Sequence, residues 1–346
     1  MRIAVVTDAW HPQINGVIRV LESLIAELDT QGHVTELITP AAFRTMPCPT
    51  YPEIRLSLLP YRRVAETLDR FCPDAVHIAT EGPLGWAAQR HCRHRGWPYT
   101  TAYHSKFPEY VALRTKLPLD WLYAGARRFH AGAARVLVPS PSVYRELKQR
   151  GFANAVAWNH GVDLKTFRPC GKAFLDLPRP LHMYVGRVAV EKNLPAFLEL
   201  ELPGSTVVVG DGPARAQLMR RYPRAHFFVA HGDEELVRYF SAADVFVFPS
   251  RTDTFGLVML EALACGVPVA AFPVPGPLDV IGQSGAGVLD ENLAAAAARA
   301  QLIPPELCRE HAARFSWAAV STQFLDCLAP IPARGPAGDR RTSRRR

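Results

Sequence analysis

The sequence predicts an α/β protein of two doubly wound, Rossmann-like domains that face each other across a cleft. Short apolar segments alternate with amphipathic stretches along the chain, which is the pattern of βαβ units in parallel sheets. The pattern pauses at residues 168–180, where Pro and Gly give the composition of a linker, and then starts again. We therefore expect an N-terminal domain over 1–170 and a C-terminal domain over 180–311.

Ten apolar segments have the length of buried strands. In the first half they are 3–7, 34–38, 75–78, 99–103 and 136–139. In the second half they are 181–185, 206–209, 226–229, 245–248 and 267–272. Ligands of open α/β sheets bind beyond the carboxyl ends of strands, so the polar residues that follow these segments are candidates for a site in the cleft.

Composition fits a folded protein with more than one core. The chain has 346 residues, of which 48% are hydrophobic. Its seven cysteines form no C-x-x-C pair, so we expect reduced thiols and a cytoplasmic protein. No apolar run approaches the roughly 18 residues of a transmembrane helix. The N-terminus has the pattern of a first buried strand rather than a signal peptide.

Residues 331–346 form a basic tail that we expect to be disordered. They hold six Arg and one Asp, and so carry +5 of the net charge of +8. Such a tail could contact anionic lipid at the inner face of a membrane, or nucleic acid, or it could simply be solvated. The remaining charge is too small to indicate nucleic acid as a partner of the body of the protein.

Two acids in the second half carry the strongest functional signal. Asp253 and Glu261 lie eight positions apart, and Gly256 falls between them where an apolar helix should begin. Eight residues exceed two helical turns, so the two carboxylates cannot close on one atom. They indicate two contacts along one extended ligand, with helix amides that attract phosphate in between. A nucleotide sugar has hydroxyl groups at both ends and phosphate in the middle.

This segment resembles the signature of the retaining glycosyltransferases of family four. In that signature an acid, usually Glu, is followed by seven residues and then by a second Glu. Here Asp253 replaces the first Glu, and Glu261 matches the second. The resemblance implies the GT-B architecture. It also implies that Glu261 accepts hydrogen bonds from ribose and that Asp253 contacts sugar hydroxyls. Amides of Thr254, Phe255, Gly256 and Leu257 would face the distal phosphate. The plain alternatives are a helix N-cap for Asp253 and an exposed helical acid for Glu261.

Arg187 and Lys192 follow the first strand of the second half and match the Gly-Arg-x-x-x-x-Lys pattern of the same family. Fixed cations there would stabilise the charge of a departing diphosphate. The alternative is a solvated surface pair. Residues 191–193 are expected to open a helix.

Two further turns match the family's nucleotide site. Gly210 and Gly212 would let the nucleotide approach the backbone closely, although Gly-Asp-Gly is also an ordinary turn. His231 occupies the position at which the base is read, and it is either a base contact or a plain loop residue.

The N-terminal half supplies the acceptor side in this resemblance. Asn15 and Gly16 match the loop that approaches the donor diphosphate. His104 belongs to a segment similar to the family's His-Thr-Asp-Phe-Pro and would lie near the transferred sugar, or it could be structural; Lys106 replaces the acid of that segment. Residues 161–163 resemble the interdomain hinge, and residues 314–317 resemble the start of a final helix, placed at about 312–328, that packs back on the first domain.

These roles imply a retaining and metal-independent reaction. We see neither a D-x-D pair nor a ligand cluster, and we expect no metal and no other cofactor. The expected donor is GDP-mannose, because the pattern is most similar to bacterial GDP-mannose-dependent α-mannosyltransferases. The alternative is a UDP-sugar-dependent glycolipid or polysaccharide glycosyltransferase, since sulfoquinovosyl and glucosyl diacylglycerol synthases share much of the pattern. The alternatives are a non-catalytic nucleotide-sugar-binding protein and a glycan phosphorylase, which would need a pyridoxal-phosphate lysine and a longer chain.

The acceptor is expected to be a lipid or a lipid-linked glycan. Residues 113–128 mix basic and apolar side chains, which suits a peripheral contact with an anionic membrane. An ordinary amphipathic helix would have the same composition.

Overall fold

A computed structural model describes residues 1–11, 16–48, 51–253 and 255–332. It contains two six-stranded sheets, each with helices on both faces, and one two-stranded hairpin. All strand pairs within the two large sheets are parallel. The predicted α/β class with two Rossmann-like units is confirmed.

The first sheet has the strand order β2-β1-β5-β6-β7-β8. The strands of the N-terminal half are β1 Arg2–Val6, β2 Val34–Ile38, β3 Thr45–Cys48, β4 Tyr51–Ser57, β5 Ala75–Ile78, β6 Thr100–Ala102, β7 Arg135–Val138 and β8 Ala155–Ala157. Its helices are α1 Gly16–Thr30, α2 Tyr61–Phe71, α3 Pro83–Arg95, α4 Phe107–Thr115, α5 Leu119–His130 and α6 Pro141–Gln149. Strands β3 and β4 form the antiparallel hairpin.

The second sheet has the order β11-β10-β9-β12-β13-β14. Its strands are β9 Leu181–Val185, β10 Ser205–Val209, β11 His226–Phe228, β12 Val245–Phe248, β13 Val269–Ala271 and β14 Gly287–Leu289. The helices that follow are α7 Pro195–Leu198, α8 Arg215–Arg221, α9 Asp233–Ala242, α10 Leu257–Ala264, α11 Pro275–Val280, α12 Leu293–Ala300, α13 Pro305–Ala312 and α14 Trp317–Cys327.

The strand orders place one topological switch point in each sheet. The chain moves outward from β1 to β2 and then returns to β5 on the other side of β1, and it does the same around β9 and β12. A crevice opens at the carboxyl ends of such strand pairs, where ligands of doubly wound sheets bind. The segments after β1, β5, β9 and β12 therefore position the site.

The last helix, α14, covers the first sheet although it follows the second in sequence. Its Val320 and Phe324 pack into the core around β1 and α1, and Trp158 donates its indole N–H to the carbonyl of Val320 at 3.2 Å. The helix begins at Trp317, later than the expected 312, because the Ser316 hydroxyl caps the amide of Ala319. Residues 305–312 form the separate helix α13.

Two other local expectations differ from the structure. Residues 190–192 form one 3-10 turn rather than a helix start, and Asn193 ends the turn with a positive φ of 54°. The β3–β4 hairpin and the strands β8 and β14 were not predicted. Strand β3 contains a proline, and β8 and β14 are three-residue strands at the edges of their sheets.

Candidate active site

Lys192 and Asp253 form an ion pair at the carboxyl ends of β9 and β12. The Lys192 Nζ donates a short hydrogen bond to Asp253 Oδ1, and both side chains are largely buried. The second oxygen, Asp253 Oδ2, is buried without a hydrogen-bond partner among the described residues. The N-cap alternative for Asp253 is wrong, since Gly256 caps α10 and no side chain supplies its cap hydrogen bond.

Arg187 lies beside this pair. Its guanidinium donates to Glu191 Oε1 at 2.9 Å, and the Glu191 side chain is only 4% exposed. The carbonyl of Arg187 accepts a hydrogen bond from the buried Tyr184 hydroxyl at 3.0 Å. Arg187 and Lys192 are therefore fixed in ion pairs rather than solvated at the surface, and one carboxylate balances each cation.

Tyr110 reaches this cluster from the N-terminal half. Burial together with the charges of Asp253 and Glu191 raises the pKa of its phenol well above the ordinary value. The Tyr110 side chain therefore lies close to these two acids and to Arg187. Tyr110 was not among the predicted site residues, because only its contact across the cleft distinguishes it from other tyrosines.

Glu261 lies inside α10 and is buried. Burial raises the pKa of its carboxyl group, while the nearby charge of Arg19 opposes that shift. Its Oε1 accepts a hydrogen bond of 3.0 Å from Arg19, a residue of α1 in the N-terminal half. The alternative of an exposed helical acid is therefore wrong. Arg19 was not among the predicted site residues, and no local motif marks it.

The glycine turns bring three backbone segments of the C-terminal half together. A Cβ atom on Gly210 would lie 1.9 Å from the carbonyl oxygen of Gly186, directly before Arg187, and one on Gly212 would lie 2.4 Å from the carbonyl oxygen of Val188. Gly210 has a φ of +150°. These glycines are required by the approach of the turn after β10 to the turn after β9. In the structure they shape the segment that holds Arg187.

The start of α10 faces the N-terminal half. Gly256 adopts a left-handed conformation and is the N-cap of α10, whose first amides have no carbonyl partner one turn earlier in the helix. A Cβ on Gly16 would lie 3.9 Å from the Leu257 side chain, and Leu257 packs against the cores of both halves. The Phe255 side chain is buried in the core of the C-terminal half, so only its backbone is available to a ligand.

His104 lies in a column of buried aromatic rings between the halves. It stacks on His160 with ring centroids 5.7 Å apart, and His160 makes an edge contact of 5.2 Å with Phe255. Burial lowers the pKa of His104 to about 4 and that of His160 well below its ordinary value. Both rings are therefore neutral near pH 7. The two ring nitrogens of His160 have no hydrogen-bond partner within the ranges that the structure describes.

The burial of these histidines predicts that the stability of the protein depends on pH. Burial lowers the pKa of His77, which is packed behind His104, to about 3, whereas an unfolded histidine titrates near 6.5. Between these values only the unfolded chain takes up the proton, so stability is lost as the pH falls. On going from pH 7 to pH 5, we expect the free energy of unfolding to fall by about 2 kcal/mol less in His77→Gln than in the wild type.

The measurement is urea unfolding of both proteins at the two pH values. Replacement of the exposed His94 on α3 by Gln is the control and should leave the loss unchanged. Equal losses of unfolding free energy for wild type and His77→Gln would show that His77 takes up a proton in the folded protein as well.

Asp8 contributes to the pH dependence in the opposite direction. Burial raises the pKa of its carboxyl group to about 6. An acid whose pKa is raised by folding stabilises the folded protein as the pH falls through that pKa.

Asp8 is a third group near the site, after Tyr110 and Arg19, that was not predicted from the sequence. It follows β1, and its carboxylate accepts hydrogen bonds from the amides of Leu84 and Gly85 at 2.9 and 3.2 Å, at the start of α3. It therefore holds together the two segments that leave the first switch point.

The remaining predicted residues fall outside this cluster. His231 is exposed, and its backbone amide donates to Glu235 Oε2 at 2.7 Å at the start of α9. Lys106 pairs with Glu146 of α6 at 2.7 Å. Asn15, Thr254 and the tail from 333 onward lie outside the described residues. Among the described residues, no helix is long and apolar enough to cross a membrane.

Comparison with known proteins gives a consistent assignment over both halves. Residues 14–166 match the model described as Glycosyltransferase Family 4, and residues 179–303 match the model described as Glycosyl transferases group 1. The chain is 30% identical to a GDP-mannose-dependent alpha-mannosyltransferase of Mycobacterium tuberculosis over 84% of this chain and 83% of that protein. It is 26% identical to the alpha-monoglucosyldiacylglycerol synthase of Streptococcus pneumoniae over 90% and 80% of the two chains.

The fold is also found in solved structures. Sucrose-phosphate synthase from Thermosynechococcus elongatus superposes with a TM-score of 0.75 and 23% sequence identity, over 94% of this chain and 97% of that one.

Proposed function

The chain belongs to glycosyltransferase family 4 and has the GT-B fold, and from this premise we propose that it transfers mannose from GDP-mannose, with retention and without a metal ion, to a hydroxyl group of a lipid or lipid-linked glycan. The observation that carries the proposal is the pair of cations, Arg187 and Lys192, fixed beside Asp253 at the switch point of the second sheet. The name of the mannosyltransferase relative supports the choice of donor.

The cations would act on the leaving group. As the bond between the anomeric carbon and the diphosphate oxygen breaks, negative charge develops on the diphosphate and positive charge on the sugar. Lys192 and Arg187, helped by the amides at the start of α10, stabilise the negative charge because they are already held in place. Each is now balanced by a carboxylate, so a bound diphosphate would take over part of the Lys192 interaction with Asp253.

The acids and hydroxyls would hold the rest of the donor. Asp253 Oδ2, which lacks a protein partner among the described residues, is available to a sugar hydroxyl. Glu261 would accept ribose hydroxyls. The acceptor oxygen would attack the anomeric carbon from the face that the diphosphate leaves, and its proton would pass to the departing phosphate oxygen. His104, being neutral, could hydrogen-bond to the sugar but would add no charge.

A transfer assay tests this function. Each of five labelled donors is incubated with the protein and total membrane lipid, both with and without EDTA. The donors are GDP-mannose, UDP-glucose, UDP-galactose, UDP-glucuronate and UDP-sulfoquinovose. We expect a labelled lipid from GDP-mannose alone, at a rate that EDTA does not change. Transfer from a UDP-sugar instead would overturn the choice of donor, and loss of transfer in EDTA would overturn the metal-independent reaction.

Helices α4 and α5 offer a surface suited to a lipid acceptor. Four large apolar side chains are exposed within these helices and the turn between them, namely Phe107, Leu113, Leu117 and Trp121, with exposures of 52%, 61%, 46% and 73%. Lys116, Arg127 and Arg128 are exposed on the same two-helix segment. A segment that exposes both apolar and cationic side chains suits contact with the surface of an anionic membrane.

We expect the double replacement Leu113→Ser and Trp121→Ser to weaken binding to vesicles that contain an anionic phospholipid by about 10²–10³-fold, since each of the two side chains contributes about 2 kcal/mol when it is buried in the membrane. Co-sedimentation with the vesicles measures this. Leu302→Ser removes an equally exposed side chain, at 83% exposure, from the C-terminal half and serves as the control. Equal binding of all three proteins would refute membrane contact through α4 and α5.

A further inference from the structure

We propose that Arg19 is a positioning residue for the nucleotide: from the N-terminal half it fixes the Glu261 carboxylate that receives the ribose hydroxyls, so that the donor site is complete only when both halves contribute. This inference rests on the proposed function. The Arg19 guanidinium spans two acids of the C-terminal half, with Nη1 3.0 Å from Glu261 Oε1 and Nη2 2.5 Å from Asp233 Oδ1. Its Cζ lies 5.8 Å from the centre of the Phe167 ring.

The charge balance explains why such a residue is needed. The Glu261 side chain is only 10% exposed, and both burial and the nearby Asp233 raise the pKa of its carboxyl group. A carboxylic acid that kept its proton would accept fewer hydrogen bonds from a ribose than a carboxylate. Arg19 lowers that pKa and favours the ionised form. It is therefore the counter-ion that keeps Glu261 ionised and able to accept hydrogen bonds from the ribose hydroxyl groups.

The geometry leaves one oxygen for the ligand. Arg19 binds Oε1, and no described residue donates a hydrogen bond to Oε2 of Glu261. A bidentate contact from arginine would have occupied both oxygens. The second guanidinium nitrogen, Nη2, is instead held by Asp233. The plane of the guanidinium is therefore fixed, while the Oε2 oxygen of Glu261 stays open to a ligand.

The position of Arg19 in the chain links this contact to the approach of the two halves. Arg19 lies one helical turn from Gly16, whose neighbour across the cleft is Leu257 at the start of α10, and Glu261 lies one turn further along that helix. The first turns of α1 and α10 thus meet at two points, Gly16 with Leu257 and Arg19 with Glu261. A movement that separates them removes the counter-ion from Glu261, which would weaken the donor site.

The decisive experiment is a double-mutant cycle on nucleotide affinity. Calorimetric titration with GDP, without acceptor, is performed on wild type, Arg19→Gln, Glu261→Gln and the double variant. We expect Arg19→Gln to raise the Kd for GDP and the KM for the donor about tenfold while kcat changes less than about threefold. In the Glu261→Gln background the same replacement should have no further effect.

Controls separate positioning from a mere structural contact. Arg62→Gln removes an arginine of a surface ion pair at 2.9 Å and should leave the Kd unchanged. Arg19→Lys should recover part of the affinity, because one ammonium can still pair with Glu261. Thermal melting of each variant verifies folding. A lower melting temperature with an unchanged Kd, or equal effects of Arg19→Gln in both backgrounds, would overturn the inference and leave the proposed function intact. Failure of the wild-type protein to bind GDP would instead overturn the proposed use of GDP-mannose, and this inference with it.

Discussion

Replacement of Lys192 by alanine should lower kcat by about 10²–10³-fold, with a smaller change in the KM for the donor. Lys192 is held at the switch point of the second sheet by Asp253 and would meet the diphosphate where charge develops. Loss of one such preorganised group commonly costs this much, because its contribution is greatest in the transition state. Steady-state rates of lipid glycosylation with saturating donor measure the effect.

Lys165→Ala is the matched control, since Lys165 is exposed and lies outside the cluster. Lys192→Arg should retain part of the activity, because the charge is kept while the geometry changes. A kcat for Lys192→Ala within about threefold of the wild-type value would contradict the role of Lys192 in charge stabilisation. Thermal melting of Lys192→Ala verifies that the variant is folded, so that a loss of activity is not due to misfolding.

Gly210→Ala should lower the unfolding free energy by about 3 kcal/mol or more and should also abolish donor binding. The added Cβ would lie 1.9 Å from the carbonyl oxygen of Gly186, which neither backbone segment can avoid without moving. The φ of +150° at Gly210 adds strain for any other residue. Because Gly186 directly precedes Arg187, relief of the clash would displace that cation. Urea unfolding and calorimetry with GDP measure the two effects.

Gly32→Ala isolates the part that is due to strain. Gly32 also has a positive φ, +77°, but no atom lies within 4 Å of the position of its Cβ. We expect it to cost about 1 kcal/mol and to leave donor binding unchanged. If Gly210→Ala cost no more than Gly32→Ala, the turns after β9 and β10 would not approach each other as closely as described.

The fold could be predicted because its signals are local. Buried parallel strands such as β9 and β12 are short apolar runs, and their spacing by helices fixes the topology. The edge strands β8 and β14 were missed, whereas β6, β11 and β13, which are also three residues long, were found within longer apolar segments. The bounds of the last helix depend on the Ser316 cap, which the apolar pattern alone does not mark.

The site could be predicted only in part, for the same physical reason. Arg187, Lys192, Asp253 and Glu261 belong to motifs within one half of the chain, and the structure brings the first three together at one switch point. The groups that meet them from the other half, Arg19 and Tyr110, carry no motif of their own. Their contacts span more than 100 residues of sequence, and only the folded arrangement of the halves reveals them.

The most direct test is to follow GDP-mannose by proton NMR while the folded protein acts on extracted membrane lipid. We expect release of GDP together with a new lipid-bound mannose whose anomeric proton has the α configuration, as in the donor. A β-linked product would contradict retention. No consumption of GDP-mannose, or of any nucleotide sugar in the assay panel, would contradict the assignment of the Arg187, Lys192, Asp253 and Glu261 cleft as a transferase site.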